Sequence, residues 1–268
     1  MYYYLYDSFL SDKKYDRVIA AIETRLTDLG ISGKIGRLTP FTNAKGLIRD
    51  EVRRGVQTIV VVGNDETVAK VVGGIEDAKI TLGFIPVGGP VMIARSLGIP
   101  EGVEACDILS KRVTQKIDLG QVNGHFFLSE VRMPGANVTL EGEGKFRVTS
   151  LAEDSEIIVS NLRLSEDGPP GRAAESGAPD SAPGYSAGDP MDGWLDALIT
   201  PRQGTLLGMF RRGADAARSV IPLRRLSLTS EEPIAVQADG RRFSNNVVSI
   251  EIVPDRLKVI TGRERVFA

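Results

Sequence analysis

The sequence predicts an α/β fold in two parts: an N-terminal three-layer domain with a parallel sheet over residues 1–115, and a C-terminal β-rich, sandwich-like domain over residues 116–268. Three observations carry this expectation. Strand-like runs alternate with helical patterns through the first hundred residues, the order that builds βαβ units. From Lys116 the long helical patterns give way to short β-rich segments separated by Gly, Asn and Asp. Asn123-Gly124 and Asp239-Gly240 each sit between two strand patterns, the strongest short-range hairpin signal.

Taken in order, Tyr2–Tyr6 is an aromatic first strand. From about Tyr15 the residues Val18, Ile19, Ile22, Leu26 and Leu29 recur at helical spacing, and Gly30 stops the helix. Lys34–Leu38 reads as a short strand, and Asn43–Arg54 as a helix with Leu47, Ile48 and Val52 inward and Gly55 as its stop. Thr58–Val62 is an unbroken β-branched run, the pattern of a parallel strand buried on both faces. Val68, Val71, Val72 and Ile75 mark the next helix, Ile80–Ile85 the fourth strand, and Val91–Leu97 a short helix before Gly98 and Pro100. In the second part, Ile117–Val122, His125–Val131, Val138–Leu140, Phe146–Thr149, Ile157–Leu164, Ile234–Ala238, Arg242–Val248 and Ile250–Val253 read as strands. Residues 165–190, rich in Ser, Gly, Pro, Ala, Asp and Glu, have too little apolar surface to order themselves and read as a long mobile loop.

Composition narrows the function. A chain of 268 residues buries an ample core without staples, and its one cysteine, Cys106, cannot form an intrachain bridge. With no leader pattern before the first strand, the expected compartment is the reducing cytoplasm. A net charge of -2 and the lack of an apolar run of 18 residues argue against a nucleic-acid binder and a membrane-spanning protein. Residues 202–225 carry six arginines and one acid, Asp215, interleaved with Leu206, Leu207, Met209 and Phe210. That segment reads either as a solvated face packed on the core or as a surface for peripheral contact with anionic lipid.

The stretch Thr58–Pro100 concentrates the chemistry. One strand runs into Gly63-Asn64-Asp65-Glu66-Thr67 and the next into Pro86-Val87-Gly88-Gly89-Pro90, and each turn opens a helix. In a parallel sheet both turns lie at the carboxyl edge, where α/β proteins bind ligands. With Ala94-Arg95, this order resembles the catalytic domain shared by diacylglycerol kinases, sphingosine kinases and bacterial lipid kinases. There the first strand runs into Gly-Gly-Asp-Gly-Thr and the second into Pro-Leu-Gly-Thr-Gly-Asn-Asp-Phe-Ala-Arg. Ile117-Asp118-Leu119-Gly120 with Asn123-Gly124 and Phe126-Phe127 is similar to the family's approach to its β domain. Asp192-Gly193-Trp194-Leu195-Asp196 and Val236–Arg241 extend the likeness in the same order.

The resemblance implies transfer of a phosphoryl group from ATP, with Mg2+, to the hydroxyl of a lipid or other small-molecule alcohol, in a cleft between the two domains. It places Thr39, Gly63, Asn64, Asp65, Glu66, Thr67, Gly88 and Gly89 at the nucleotide and Asp189 and Asp192 at a secondary metal site. Arg241 falls on the position of the family's proton-accepting glutamate, with Asp239 as a substitute base. Several of these residue types conflict with the chemistry. Phosphate cradles need glycine so that backbone amides can approach, and Asn64 and Glu66 stand at two glycine positions. A carboxylate about 4 Å from a phosphate costs roughly 1 kcal/mol in water and about 4 kcal/mol near a protein surface. Pro90 removes a backbone donor, Val91 and Met92 replace polar residues, and Arg241 cannot accept a proton at neutral pH.

Structural readings stand beside these. Asp65 is the expected cap of the following helix, with Glu66 complementing its dipole; Thr39 reads equally as a turn residue, Asp239 as the first residue of a hairpin turn, and Asp192 as a solvated loop acid. His125 reads as a strand surface residue rather than a base, and Cys106 has no metal partners at ligand spacing. Two functions stay open: a lipid kinase of weak or no activity, and a non-catalytic relative that binds a lipid, a nucleotide or a protein partner.

Overall fold

A computed structural model gives the fold, and it describes residues 1–39, 41–75, 79–143, 146–149, 155–162, 164, 188–201 and 220–267. The chain forms two compact units, one from Met1–Ile117 with the return of the chain after Asp255, the other from Asp118–Arg163 with the later strands up to Pro254. Most of the segment expected as a mobile loop (165–187), and residues 202–219 of the arginine-rich segment, lie outside the described residues.

The first unit alternates strand and helix. Its elements are β1 (Tyr2–Asp7), α1 (Asp16–Asp28), β2 (Lys34–Leu38), α2 (Ala44–Arg53), β3 (Thr58–Gly63), α3 (Asp65–Val72), β4 (Thr81–Pro86), α4 (Met92–Ser96) and α5 (Glu104–Lys111). The sheet runs β2-β1-β3-β4, all parallel, with Asp7 opposite Leu38, Leu5 opposite Val61 and Gly63 opposite Pro86. All six residues of β3 are buried, as its β-branched run requires of a central parallel strand. From β1 the chain moves one way to β2 and later the other way from β3 to β4. Right-handed crossovers then put α1 on one face and α2 and α3 on the other. The packing agrees, since α1 meets α5 and α2 meets α3. Ile22 and Leu26 of α1, Ile48 of α2 and Val68, Val71 and Val72 of α3 are the buried apolar positions, at the spacing of a single helical stripe. Cys106 of α5 is fully buried, and burial pushes its thiol up to about 11.

The second unit is antiparallel. It contains β6 (His125–Phe127), β7 (Glu130–Pro134), β8 (Thr139–Gly142), β9 (Phe146–Thr149), β10 (Ser155–Ser160), β11 (Leu195–Pro201), β12 (Val220–Leu223) and β13 (Arg225–Ala238), with most of β5 (Thr114–Val122) and β14 (Arg241–Ile260). The order β12-β11-β10-β7-β13-β14 is flanked by the β8–β9 hairpin on β13 and by β5, which pairs with β14 and β6. Both expected hairpin turns form. Asn123 and Gly124 have φ of 46° and 82°, and Asp239 and Gly240 of 43° and 84°, the paired positive values of a two-residue type I′ turn. Phe127, Val131, Ile157, Val159, Leu226, Leu228, Val248 and Ile250 are central members of one apolar core.

Three strand expectations change. His125–Val131 is divided into β6 and β7, because the amides of Leu128, Ser129 and Glu130 are taken by the Asp239 carboxylate instead of by a ladder. The separate strands expected at Arg242–Val248 and Ile250–Val253 are one continuous strand, β14, and β13 begins nine residues before its expected start at Ile234. β13 starts on a short alternation, buried Leu226 and Leu228, then crosses the polar 229–233, and β14 crosses the polar 244–246. Backbone pairing carries both strands there, and the register shift between Thr229 and Ile234 absorbs the irregularity.

Glu51 is a buried charge in the first unit. Its side chain is 2% exposed, and Oε1 accepts from Lys34 Nζ and Arg54 Nη1, both at 2.5 Å. Burial works to raise its pKa, yet the two cationic donors win and hold it below the ordinary glutamate value. The ionised form is therefore favoured in the folded state, so its contribution is present above the unfolded glutamate pKa of about 4.3 and is lost as pH falls through the lower folded value. We expect Glu51→Gln to lower unfolding free energy at pH 7 by about 1–3 kcal/mol, with the difference from wild type shrinking toward zero in urea titrations at progressively lower pH below 4. A pH-independent difference would contradict this account.

Candidate functional site

In a sheet ordered β2-β1-β3-β4 the connections leaving β1 and β3 diverge, which opens a crevice at the carboxyl ends of those two strands. Asp7 ends β1 there and Gly63 ends β3. The Asp7 carboxylate is buried, and its Oδ2 accepts from the Thr67 hydroxyl at 2.9 Å and from Lys70 Nζ at 3.4 Å. Asn64 is the cap of α3: its Oδ1 accepts from the Thr67 amide at 3.2 Å, and the Thr67 hydroxyl accepts from the Asn64 amide at 3.2 Å, a reciprocal capping box. Gly63 is required by close approach, because a Cβ there would collide with the Thr67 hydroxyl.

The cap expected of Asp65 falls to Asn64, and Asp65 does something else. Its two carboxylate oxygens accept from the amides of Met92 at 2.8 Å and Ile93 at 3.1 Å, while its own amide donates to Pro90 O at 2.9 Å. Val87 N donates to Gly63 O at 2.9 Å. The two strand-end turns are thus tied to each other by two hydrogen bonds to the Asp65 carboxylate and two between backbones. Glu66 is exposed in the first turn of α3. Gly88 has φ 71° and faces Phe9 and Tyr15 so closely that a Cβ would come within 2.8 Å of the Phe9 ring, whereas Gly89 has open space around it. Thr39 follows β2, directly after the residue paired with Asp7, and is exposed, with its hydroxyl 2.8 Å from that of Thr42.

The remaining candidates lie in the second unit. The Asp239 carboxylate accepts from the amides of Leu128 (2.6 Å), Ser129 (3.1 Å) and Glu130 (3.0 Å) and from the Ser129 hydroxyl. Burial raises its pKa, and these four bonds pull the other way by favouring the ionised form. Arg241, two residues on, is exposed, with Nη1 3.3 Å from Nδ1 of His125. An arginine only donates, so His125 Nδ1 is the acceptor and the proton of the neutral ring sits on Nε2. Asp189 Oδ1 accepts from the Met191 amide at 3.0 Å and Asp192 Oδ1 from the Trp194 amide at 2.9 Å. Burial raises the Asp189 pKa against that amide bond.

Sequence reasoning did not single out Asp118 and Asn161 as site residues. Asp118 is buried, accepts from the Gly193 amide at 2.8 Å and donates its own amide to Pro190 O at 2.6 Å. Asn161 Nδ2 bridges the carbonyls of Asp118 and Leu128, both at 3.0 Å. A polar frame thereby runs from the 188–194 loop through Asp118, Asn161 and the Leu128–Glu130 amides to Asp239. The structure brings Gly63, Asn64, Asp65, Glu66, Thr67, Gly88 and Gly89 together with Asp7 and Lys70 in one unit. Asp189, Asp192, Asp239 and Arg241 share the other.

Fold and site together define an α/β unit whose two strand-end turns meet at one crevice, followed by an antiparallel β unit. Residues 3–122 match the model of the diacylglycerol kinase catalytic domain. A diacylglycerol kinase of Bacillus subtilis is 32% identical over 115 residues, which span 41% of this chain and 38% of that protein. A Pseudomonas aeruginosa protein named "Probable lipid kinase YegS-like" is 25% identical over 249 residues, 81% of this chain and 80% of the relative. The crystal structure of a diacylglycerol kinase from Bacillus anthracis superposes with a TM-score of 0.71 at 17% identity, covering 98% of this chain and 97% of that one. Over residues 3–122 the chain resembles the diacylglycerol kinase catalytic domain, and over most of its length it is similar to bacterial proteins named as lipid kinases.

The resemblance to kinases implies ATP and usually a divalent metal. The residues present fit neither group well. Asp189 and Asp192 each spend a carboxylate oxygen on their own loop, and no group of three or more His, Cys, Asp or Glu side chains among the described residues could hold a metal ion. The amides of Thr67, Met92 and Ile93, which would face a phosphate at the two turns, already have carboxylate or carboxamide partners.

Asp65→Ala leaves the first two amides of α4 without their acceptor. It is expected to cost about 0.5–2 kcal/mol, the usual range for a lost cap, read as a lower midpoint in urea at unchanged slope. An unchanged midpoint would show that Asp65 does not hold the two turns together.

Proposed function

We propose that this chain is a lipid kinase-family protein in which phosphoryl transfer is weak or lost and the family scaffold serves binding. One observation carries the reading: two carboxylates placed to serve as a base or face phosphate, Asp239 and Asp65, are committed to the chain's own donors. Asp239, the substitute for the missing glutamate, accepts four hydrogen bonds, and Asp65 accepts two. A general base must take a proton from the substrate hydroxyl, and an oxygen already saturated with donors is a poor acceptor. Arg241 at the neighbouring position supplies donors only, and with His125 Nε2–H beside it the surface suits an anion such as a phosphate or a lipid head group.

The substrate class stays with the family: a lipid hydroxyl or a related small alcohol. No helix among the described residues is long and apolar enough to cross a membrane, so contact with lipid is peripheral in this reading. Arg224 and Arg225, the described end of the arginine-rich segment, are both exposed.

Transfer of radiolabel from ATP to a panel of lipids, in the presence of Mg2+ or Mn2+, should give product within a few-fold of a blank without protein. Arg241→Glu restores a proton acceptor, and since a positioned base contributes about 10²- to 10⁴-fold, this variant should exceed wild type by tenfold or more if nucleotide still binds. Robust wild-type turnover abolished by Arg241→Glu or Asp65→Ala would overturn the proposal.

A further inference from the structure

The first unit carries a groove of about 930 Å³ that is separate from the strand-end turns. One wall is α5, the opposite wall the last residues of the chain, and the floor the turn after α4. The C-terminal segment is held by backbone at three points: Thr261 N donates to Val113 O just past α5, and Gly262 N to Leu97 O and Val266 N to Ser96 O at the end of α4, at 2.9, 2.9 and 3.0 Å. Gly98 (φ 69°) and Gly262 let the two backbones touch, and a Cβ at Gly98 would come within 2.6 Å of the Arg265 amide. The walls are therefore fixed by backbone packing, and the groove is preformed. Its volume falls within the range of small-molecule sites.

The lining is apolar along its length, with Ile99, Pro100, Ile108, Val113 and Val266, and Val113 remains 45% exposed. The charges of the lining are unbalanced. Arg95 is paired with Glu101 at 2.9 Å, whereas Lys111 and Arg263, both exposed, have no carboxylate partner among the described residues. An apolar trough with surplus cations matches a ligand with a hydrocarbon body and an anionic end. A hydrated anion would gain nothing from the trough, and a neutral chain would leave the cations unused. The surface is concave, so it suits one chain lying inside rather than the flat face of a bilayer.

We propose that this groove binds a single-chain anionic amphiphile, an acyl or alkyl chain ending in a phosphate or carboxylate, taken up as a monomer. The proposal is independent of phosphoryl transfer. The chain lies along Ile99, Ile108 and Val113, and Lys111 and Arg263 hold the head group by charge-assisted hydrogen bonds.

Calorimetric titration of the full chain with dodecyl phosphate below its micelle concentration tests this, with dodecanol and inorganic phosphate as comparisons. Dodecyl phosphate should bind once per chain and saturably, at least tenfold more tightly than dodecanol, with no measurable heat from phosphate. Ile108→Asp should weaken dodecyl phosphate tenfold or more. Lys111→Glu with Arg263→Glu, both at exposed positions, should reverse the preference toward dodecanol while circular dichroism and melting stay unchanged, which keeps the test decisive should Ile108→Asp misfold. Arg241→Glu, in the other unit, should bind as wild type does, so a failure of the kinase-family reading leaves this result untouched. Equal binding by the folded double variant, stronger binding of phosphate alone, or binding only to phosphatidylglycerol vesicles and not to the monomer would each overturn the proposal.

Discussion

The Asp65 carboxylate, set on the amides of Met92 and Ile93, is the contact on which the strand-end geometry depends. It joins a turn that follows β3 to a helix that follows β4, across 27 residues of sequence, and α4 has no other side-chain cap. Without it a five-residue helix would begin with orphan amides, an arrangement too short to persist by propensity. Asn64 and Thr67 complete the same frame at α3, and Asp7 anchors Thr67 and Lys70 to the end of β1. Three strands of the parallel sheet thus end in one connected set of hydrogen bonds. The set is satisfied from within, so the amides that a phosphate would use are the ones that hold the turns in place.

The same economy recurs in the second unit. Asp239 closes a type I′ turn and simultaneously takes three amides that divide β6 from β7. Asp118 and Asn161 then connect that division to the 188–194 loop. An aspartate in each unit is therefore a structural keystone at a position where family resemblance would place nucleotide or proton chemistry. Ordinary turnover would require these carboxylates to exchange stable intramolecular partners for substrate ones.

Much of the fold was legible in the residues themselves. Thr58–Val62 could be read as a buried parallel strand because β-branched residues without polar alternation fit no other common environment, and the Asn-Gly and Asp-Gly turns because positive φ is tolerated there. Polar stretches of β13 and β14 were illegible, since backbone pairing with neighbours carries no side-chain signature. The location of Gly63–Thr67 and Gly88–Gly89 followed from strand order, but the partners did not. That Asn64 rather than Asp65 caps α3, and that Asp65 reaches Met92, depends on which turn lies opposite in space. Asp7 carried one available signal: an acid closing the first strand of a sheet that reverses direction at that strand falls in the crevice by topology.

The central claim, that the turn amides are committed to Asp65 rather than to phosphate, is tested most directly by following the Met92 and Ile93 amide resonances of isotopically labelled protein during titration with ATP and Mg2+. The account predicts that both signals hold their positions at saturating nucleotide and move only in Asp65→Ala. Large, saturable shifts of both amides in the wild-type chain would show that phosphate displaces the carboxylate, and would contradict it.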